Sequence, residues 1–228
     1  MRPSSGGERA LIDLEQDGSV WILRMRAGEN RFSLDVLDRL NAALDEVEAA
    51  RGPCALVTTG AGKFYSNGLD LDWMMTARDR AGEYLSGVYR LLGRMLGFPA
   101  ITVAAVNGHA FGAGALLATA HDVTVMRADR GYWCMPEADL GLPLSAQFLS
   151  VLTVKLPARS LQQAVMTGRR YGGVDAANAG LVHQAASEEQ LLPAAVTIAA
   201  DLAGKDRRTV AEHKRLLYGD AIAKLTAR

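Results

Sequence analysis

Cysteine, net charge and long apolar runs are scarce or absent in this chain of 228 residues. Its two cysteines, Cys54 and Cys134, lie in apolar contexts without the spacing of metal ligands, which suits a reducing compartment and argues against a disulfide-stabilised fold. The 25 basic residues balance 25 acidic ones, so no overall charge favours nucleic acid or a membrane surface. No stretch approaches 18 uncharged apolar residues, and residues 1–9 lack the apolar segment of a secretion signal. We therefore expect a cytoplasmic protein without nucleic-acid or membrane partners.

Strand and helix patterns alternate along the chain. Two alternating segments, Leu11 to Glu15 and Val20 to Met25, flank a turn pair and predict a β-hairpin. The other predicted elements are a helix begun by Ser33, strands at 55–59, 101–106, 123–126 and 132–135, and helices at about 76–96, 115–120, 145–156, 159–167, 188–203 and 207–218. This order predicts an α/β fold with a parallel sheet. We expect a core at residues 1–200 and a helical C-terminal segment at 201–228.

The stretch from Ala104 to Asp122 combines an apolar strand, a glycine-rich turn and an apolar helix. The turn contains Gly112-Ala113-Gly114, where small residues let backbone approach backbone. The first N–H groups of a helix lack partners within the helix and carry the positive end of its dipole, so this turn suits a negatively charged oxygen. Close packing of the helix on the strand is the alternative, since it also requires small residues.

Three separated motifs carry a resemblance to a known family. They are Phe64-Tyr65-Ser66-Asn67-Gly68-Leu69-Asp70-Leu71, then Gly112-Ala113-Gly114, then Gly168 followed by Ala176, Ala177 and Gly180-Leu181-Val182. Together they resemble the crotonase superfamily, the enoyl-CoA hydratase/isomerase group, over roughly residues 10 to 185. The resemblance implies a crotonase-like spiral of β-β-α turns with a C-terminal helical segment, and assembly into a homotrimer or hexamer. It also implies an acyl-CoA thioester substrate with no separate cofactor, because CoA is part of the substrate.

Within that family, the chain most resembles delta-3, delta-2-enoyl-CoA isomerases of the peroxisomal type. Besides the first motif, this rests on Asn107-Gly108-His109-Ala110, His121-Asp122 and Asp129-Arg130-Gly131. By the same resemblance, the backbone N–H groups of Leu69 and Ala113 form an oxyanion hole for the thioester oxygen. Ala113 replaces a usual glycine, so the hole requires this residue to be helical or extended.

The carboxylates indicate the reaction. Hydratases of the family use two glutamates, and the corresponding positions here are Leu116 and Glu137. Adding water calls for groups that position and activate it, whereas moving a double bond needs one base, so we expect an isomerase with Glu137 as its catalytic residue. Leu116 would make the wall of the site drier. Hydration, thioester hydrolysis and non-catalytic acyl-CoA binding remain alternatives, as does a merely solvated Glu137.

The remaining candidate substrate-binding residues surround these motifs. They are Lys63, Phe64, Ser66, Gly68, Asp70, Gly112 and Leu116. Lys63 and Phe64 could touch the nucleotide end of CoA, although a solvated lysine and a packed ring explain them equally. Asp70 suits a helix cap or a loop anchor better than a catalyst. The histidines lack metal-ligand spacing, so we expect no metal site.

Overall fold

The computed structural model describes residues 10–227, so the expectation drawn from residues 1–9 lies outside the described part of the chain. The strands are β1 Ile12–Asp17, β2 Val20–Met25, β3 Ala55–Gly60, β4 Phe64–Ser66, β5 Ile101–Val106, β6 His109–Phe111, β7 Val123–Arg127, β8 Trp133–Cys134 and β9 Gln184–Ala186. The helices are α1 Leu34–Ala49, α2 Leu71–Thr76, α3 Ala81–Leu96, α4 Ala113–Ala120, α5 Glu137–Leu140, α6 Ala146–Lys155, α7 Ala158–Thr167, α8 Gly173–Asn178, α9 Glu188–Leu202 and α10 Arg207–Thr226.

The strands form two sheets. The larger has the order β1-β2-β3-β5-β7-β9, in which only β1 and β2 pair antiparallel. The smaller has the order β4-β6-β8 and is parallel. A strand of the large sheet is therefore followed by one of the small sheet and then by a helix, three times in succession: β3-β4-α2, β5-β6-α4 and β7-β8-α5. This spiral of β-β-α turns confirms the predicted fold class.

Both faces of the large sheet are buried, as parallel sheets require. In β5, Val103 and Ala105 belong to an apolar cluster with α9, whereas Ala104 and Val106 belong to the main core. That core also contains the buried sides of α1, α3 and α4. Because α4 is buried at all eight of its residues, the glycine turn in front of it is held between the sheet and the surrounding helices.

Several boundaries differ from the sequence-based predictions. The start predicted for the helix at about 76–96 is wrong, because α2 ends at Thr76 and α3 begins only at Ala81, after a 3₁₀ turn. Thr76 donates its hydroxyl to the Trp73 carbonyl at 2.8 Å, which satisfies a backbone group where α2 ends. Helix α4 begins at Ala113 rather than Ala115. The prediction missed β4, β6, β9, α2, α5 and α8, which are only three to six residues long.

Helix α10 packs against α3 and α6. Its buried Lys214 donates to the carbonyls of Phe98 and Ala100 and lies 2.6 Å from a carboxylate oxygen of Asp122. These contacts tie the last helix to the strand-bearing part of the chain. The division near residue 200 stays a prediction. No helix within residues 10–227 has both the length and the apolar character needed to cross a membrane.

Candidate functional site

The first half of the site is the loop that follows β4. Gly68 has φ +78°, a backbone conformation that favours glycine, and its carbonyl accepts from Phe32 N at 2.8 Å. The buried Ser66 hydroxyl donates to the Asn30 carbonyl at 2.7 Å and accepts from Gly68 N at 3.1 Å. Ser66 therefore lies beneath the loop and holds Gly68, the residue immediately before Leu69.

Asn30 supports the same loop, and sequence reasoning missed it. It is fully buried and has φ +52°, within the left-handed region that asparagine tolerates better than most residues. Its side-chain amide donates to the carbonyls of Phe64 and Tyr65, at 3.1 and 3.0 Å, while its oxygen accepts from Ala27 N at 2.8 Å. The turn-forming sequence Gly28-Glu29-Asn30 was the available signal, but it does not identify the distant strand that Asn30 holds.

The second half is the turn between β6 and α4. Gly112 caps the helix with φ +51° and ψ −121°, donates its N–H to the Cys134 carbonyl at 3.0 Å and accepts from Leu116 N. Ala113 is the first residue of α4, so the alanine at this position has helical backbone and meets the condition set by the sequence. Its N–H belongs to the first turn, where the helix offers no acceptor.

The two halves are in direct contact. A Cβ atom placed on Gly68 would lie 2.6 Å from the Phe111 carbonyl oxygen and 2.9 Å from Ala113 N. A Cβ atom on Gly114 would lie 2.2 Å from the Ser66 carbonyl oxygen, so the first turn of α4 lies directly on the end of β4. Within residues 10–227, the N–H groups of Leu69 and Ala113 donate no hydrogen bond. The site thus has two neighbouring backbone donors for an oxygen atom.

Glu137 lies beside these donors. It is the first residue of α5, and one carboxylate oxygen, Oε1, is 3.4 Å from the place where a Cβ of Gly112 would be. The other oxygen, Oε2, is shielded from solvent and has no hydrogen-bond partner. Burial raises the pKa of this carboxyl, and a hydrogen bond with its own backbone lowers it to a smaller extent. Because burial is the larger effect, this carboxylate is a stronger base than one in water.

Leu116 lies one turn along α4 from Gly112 and is fully buried in the main core. Asp70 caps α2 by accepting from Trp73 N at 3.2 Å, and its own N–H donates to the Tyr84 hydroxyl at 2.8 Å. This is the cap expected from the sequence. The Asp70 carboxylate also lies 3.9 Å from Arg31, so the loop is anchored on both sides.

Lys63 and Phe64 lie at the start of β4, whereas Gly68 and Leu69 follow its end. The exposed Lys63 ammonium is 5.4 Å from the centre of the Phe64 ring, which in turn lies 5.4 Å from the His109 ring. The structure therefore brings together Gly68, Leu69, Gly112, Ala113 and Glu137, with Ser66 beneath them, and places Lys63 and Phe64 at the other end of the strand.

His121, which directly follows α4, is fully buried and makes hydrogen bonds within the core. His121 lies with Nε2 2.8 Å from the Thr58 hydroxyl and Nδ1 2.8 Å from the Leu117 carbonyl, and burial lowers its pKa to about 4. No group of three or more His, Cys, Asp or Glu residues suited to a metal ion occurs between residues 10 and 227.

The spiral of β-β-α turns defines the crotonase fold. The sequence model described as enoyl-CoA hydratase/isomerase matches residues 15–227, and the chain belongs to that family. The peroxisomal enoyl-CoA delta isomerase 2 of Arabidopsis thaliana is 34% identical over 207 residues, which cover 86% of each chain. A probable enoyl-CoA hydratase of Mycobacterium tuberculosis H37Rv has a crystal structure that matches with a TM-score of 0.89 at 26% identity, over 96% of this chain and 92% of that one. An apo structure of the same M. tuberculosis protein, there described as an enoyl-CoA isomerase, matches with a TM-score of 0.88 at 26% identity, over 95% of both chains.

Proposed function

We propose that this protein is an enoyl-CoA delta isomerase that moves the double bond of a 3-enoyl-CoA to the 2-trans position. Membership of the enoyl-CoA hydratase/isomerase family and similarity to a relative named as a delta isomerase support isomerase activity. The observation that carries the proposal is the position of Glu137 beside Gly112, while the residue one turn along α4 from Gly112 is the apolar Leu116.

In the proposed reaction, the Leu69 and Ala113 N–H groups donate to the thioester oxygen. Glu137 takes a proton from C2, negative charge develops on that oxygen, and the protonated glutamate returns the proton to C4. Donors aimed at a developing negative charge stabilise it most in a dry site, and removing one typically costs about 10²–10³ in rate. The unpartnered Oε2 of Glu137 supports this role, because a base already held by a donor would be weaker.

Assembly, cofactor and location complete the proposal. The resemblance supports a homotrimer or hexamer acting on acyl-CoA in fatty acid β-oxidation without a separate cofactor. The two cysteines are unpaired and buried, which is compatible with the cytoplasmic location that we propose.

Product analysis tests the reaction. Given a 3-enoyl-CoA, the protein should form the conjugated 2-enoyl-CoA, and given a 2-enoyl-CoA it should form little 3-hydroxyacyl-CoA and release no free thiol. Glu137→Gln should lower isomerisation by about 10²-fold or more while substrate binding is retained, because the amide keeps the size of the side chain but cannot accept the proton. Glu189→Gln, at an exposed position on α9, is the matched control.

Other outcomes select other functions. Rapid hydration of the 2-enoyl-CoA would indicate that another group positions water in place of the acid absent at Leu116. Thiol release would indicate hydrolysis, and binding without turnover would indicate a non-catalytic acyl-CoA-binding protein. Full isomerase activity in Glu137→Gln would mean that Glu137 is not the base.

A further inference from the structure

A cavity of about 300 Å³ opens near the C-terminal end of α4, away from the oxyanion turn. Its lining consists of Thr119, Thr124, Lys155, Leu156, Ala177, Gly180, Leu181, Val182 and His183. None of the residues assigned to the candidate active site is among them. Thr119 is six residues beyond Ala113, a distance of about 9 Å along a helix axis. The cavity is therefore separate from the site that contains Glu137.

Lys155 brings a positive charge to this cavity. It is the last residue of α6 and is partly buried, and no carboxylate of residues 10–227 lies within 4.0 Å of its ammonium. Its polar contact is the Tyr218 hydroxyl at 3.4 Å, and an ammonium group has three donors. Burial lowers the pKa of Lys155, nearby Lys214 lowers it further, and Asp122 opposes both effects. Asp122 pairs at 2.6 Å with Lys214, so its carboxylate is already engaged by another ammonium.

His183 supplies a second donor. Its Nδ1 accepts from Thr124 N at 3.0 Å, so the neutral ring carries its proton on Nε2. The two threonines have already committed their hydroxyl protons, Thr119 to the Ala115 carbonyl and Thr124 to the Ala118 carbonyl. The donors left for a ligand are therefore the Lys155 ammonium and the His183 Nε2–H. The remaining wall includes two partly exposed apolar residues, Leu156 and Ala177.

We propose that this cavity binds a small monocarboxylate, whose carboxylate accepts from Lys155 Nζ and His183 Nε2 and whose apolar body packs against Leu156 and Ala177. A carboxylate supplies the opposite charge that the Lys155 ammonium lacks within 4.0 Å in the described part of the chain, and two donors match its two oxygens. A short apolar chain suits the remaining wall because it removes apolar surface from water. The site does not depend on the proposed isomerase reaction.

Binding of sodium hexanoate, followed by calorimetry and by the ring signals of His183 in NMR spectra, tests the proposal. Hexanoate should bind and move the His183 signals, whereas hexan-1-ol, which has the same chain without the charge, should bind at least about tenfold more weakly. Lys155→Met should weaken hexanoate binding at least about tenfold. The matched control Lys224→Met, at an exposed position on α10, should leave it unchanged.

Circular dichroism decides whether the Lys155→Met result counts. If that variant does not fold, the wild-type comparison of hexanoate with hexan-1-ol and the loss of binding in His183→Phe take its place. Hexanoate binding that is equal in wild type and folded Lys155→Met would overturn the proposal. Unmoved His183 signals at saturating hexanoate would also overturn it, because binding would then occur elsewhere, as would the absence of any binding heat.

Discussion

Replacing Ser66 by alanine should lower both the stability of the protein and the rate of its proposed reaction. The reason is that the Ser66 hydroxyl joins the loop after β4, which contains Gly68, to the turn that contains Asn30. The change removes the bond from the Ser66 hydroxyl to the Asn30 carbonyl and the bond from Gly68 N to that hydroxyl. It leaves a buried carbonyl and a buried N–H without these partners. Each such group costs about 1–3 kcal/mol, so we expect the free energy of unfolding to fall by about 2–6 kcal/mol.

The effect on activity follows from the position of Gly68, immediately before Leu69. Complete loss of one oxyanion donor typically costs about 10²–10³ in rate, and a displaced donor retains part of its effect. We therefore expect kcat for isomerisation to fall about 10- to 100-fold in Ser66→Ala. KM should change less, because the donors act most strongly on the charge that develops during the reaction.

Urea denaturation and initial-rate kinetics measure the two effects. Ser86→Ala is the matched control, since the hydroxyl of that partly exposed serine bonds, within residues 10–227, only to the Gly82 carbonyl of α3, and it should change the unfolding free energy by less than about 0.5 kcal/mol. Wild-type kcat in Ser66→Ala would refute the argument that Ser66 positions the loop, even if the protein were destabilised. An unchanged unfolding free energy would refute the estimate of the hydrogen-bond cost.

Two further predictions concern the same site. Ala113→Pro should keep α4 intact, because proline is well suited to the first position of a helix. It should lower isomerisation by about 10²-fold or more, because it removes a donor N–H. Circular dichroism and kinetics together check this, and a folded, fully active variant would place the donor elsewhere. Because burial raises the pKa of Glu137 and the base must be ionised, kcat/KM should fall as the pH is lowered through a value above 4.5, and a profile that stays flat below that pH would contradict the assignment.

Most of the large sheet could be predicted from the sequence because five of its six strands have five or six residues. The predicted segment 101–106 is β5 in full, and the hairpin and β3 were predicted to within two residues at each boundary. Strands β6 and β9 have only three residues each, too few for a period to be recognised. Their existence depends on neighbouring strands that the fold brings to them, so it is a tertiary property.

The same distinction applies to the candidate site. Small residues in the two turns, with Glu137 after β8, were visible as motifs, because glycine at positive φ and a close backbone approach leave few other choices. Asn30 was not visible, since its importance comes from hydrogen bonds to Phe64 and Tyr65, more than 30 residues further along the chain. The presence of Lys155 and His183 in one cavity likewise follows only from the tertiary fold, because α7 and α8 lie between them in the chain.

The proposed oxyanion donors are main-chain groups, so their positions depend on residues that never touch the substrate. The carbonyl of Ser66 lies against Gly114, and Gly68 lies against Ala113, so each half of the pair restricts where the other can be. Hydrogen bonds of Asn30 and Ser66 fix the loop after β4, and α4, buried along its whole length, fixes the turn before it. Glu137 then contributes the one acidic side chain identified in the site. In such a site, substitutions beneath the loops should impair the reaction more than most changes to the side chains that line it.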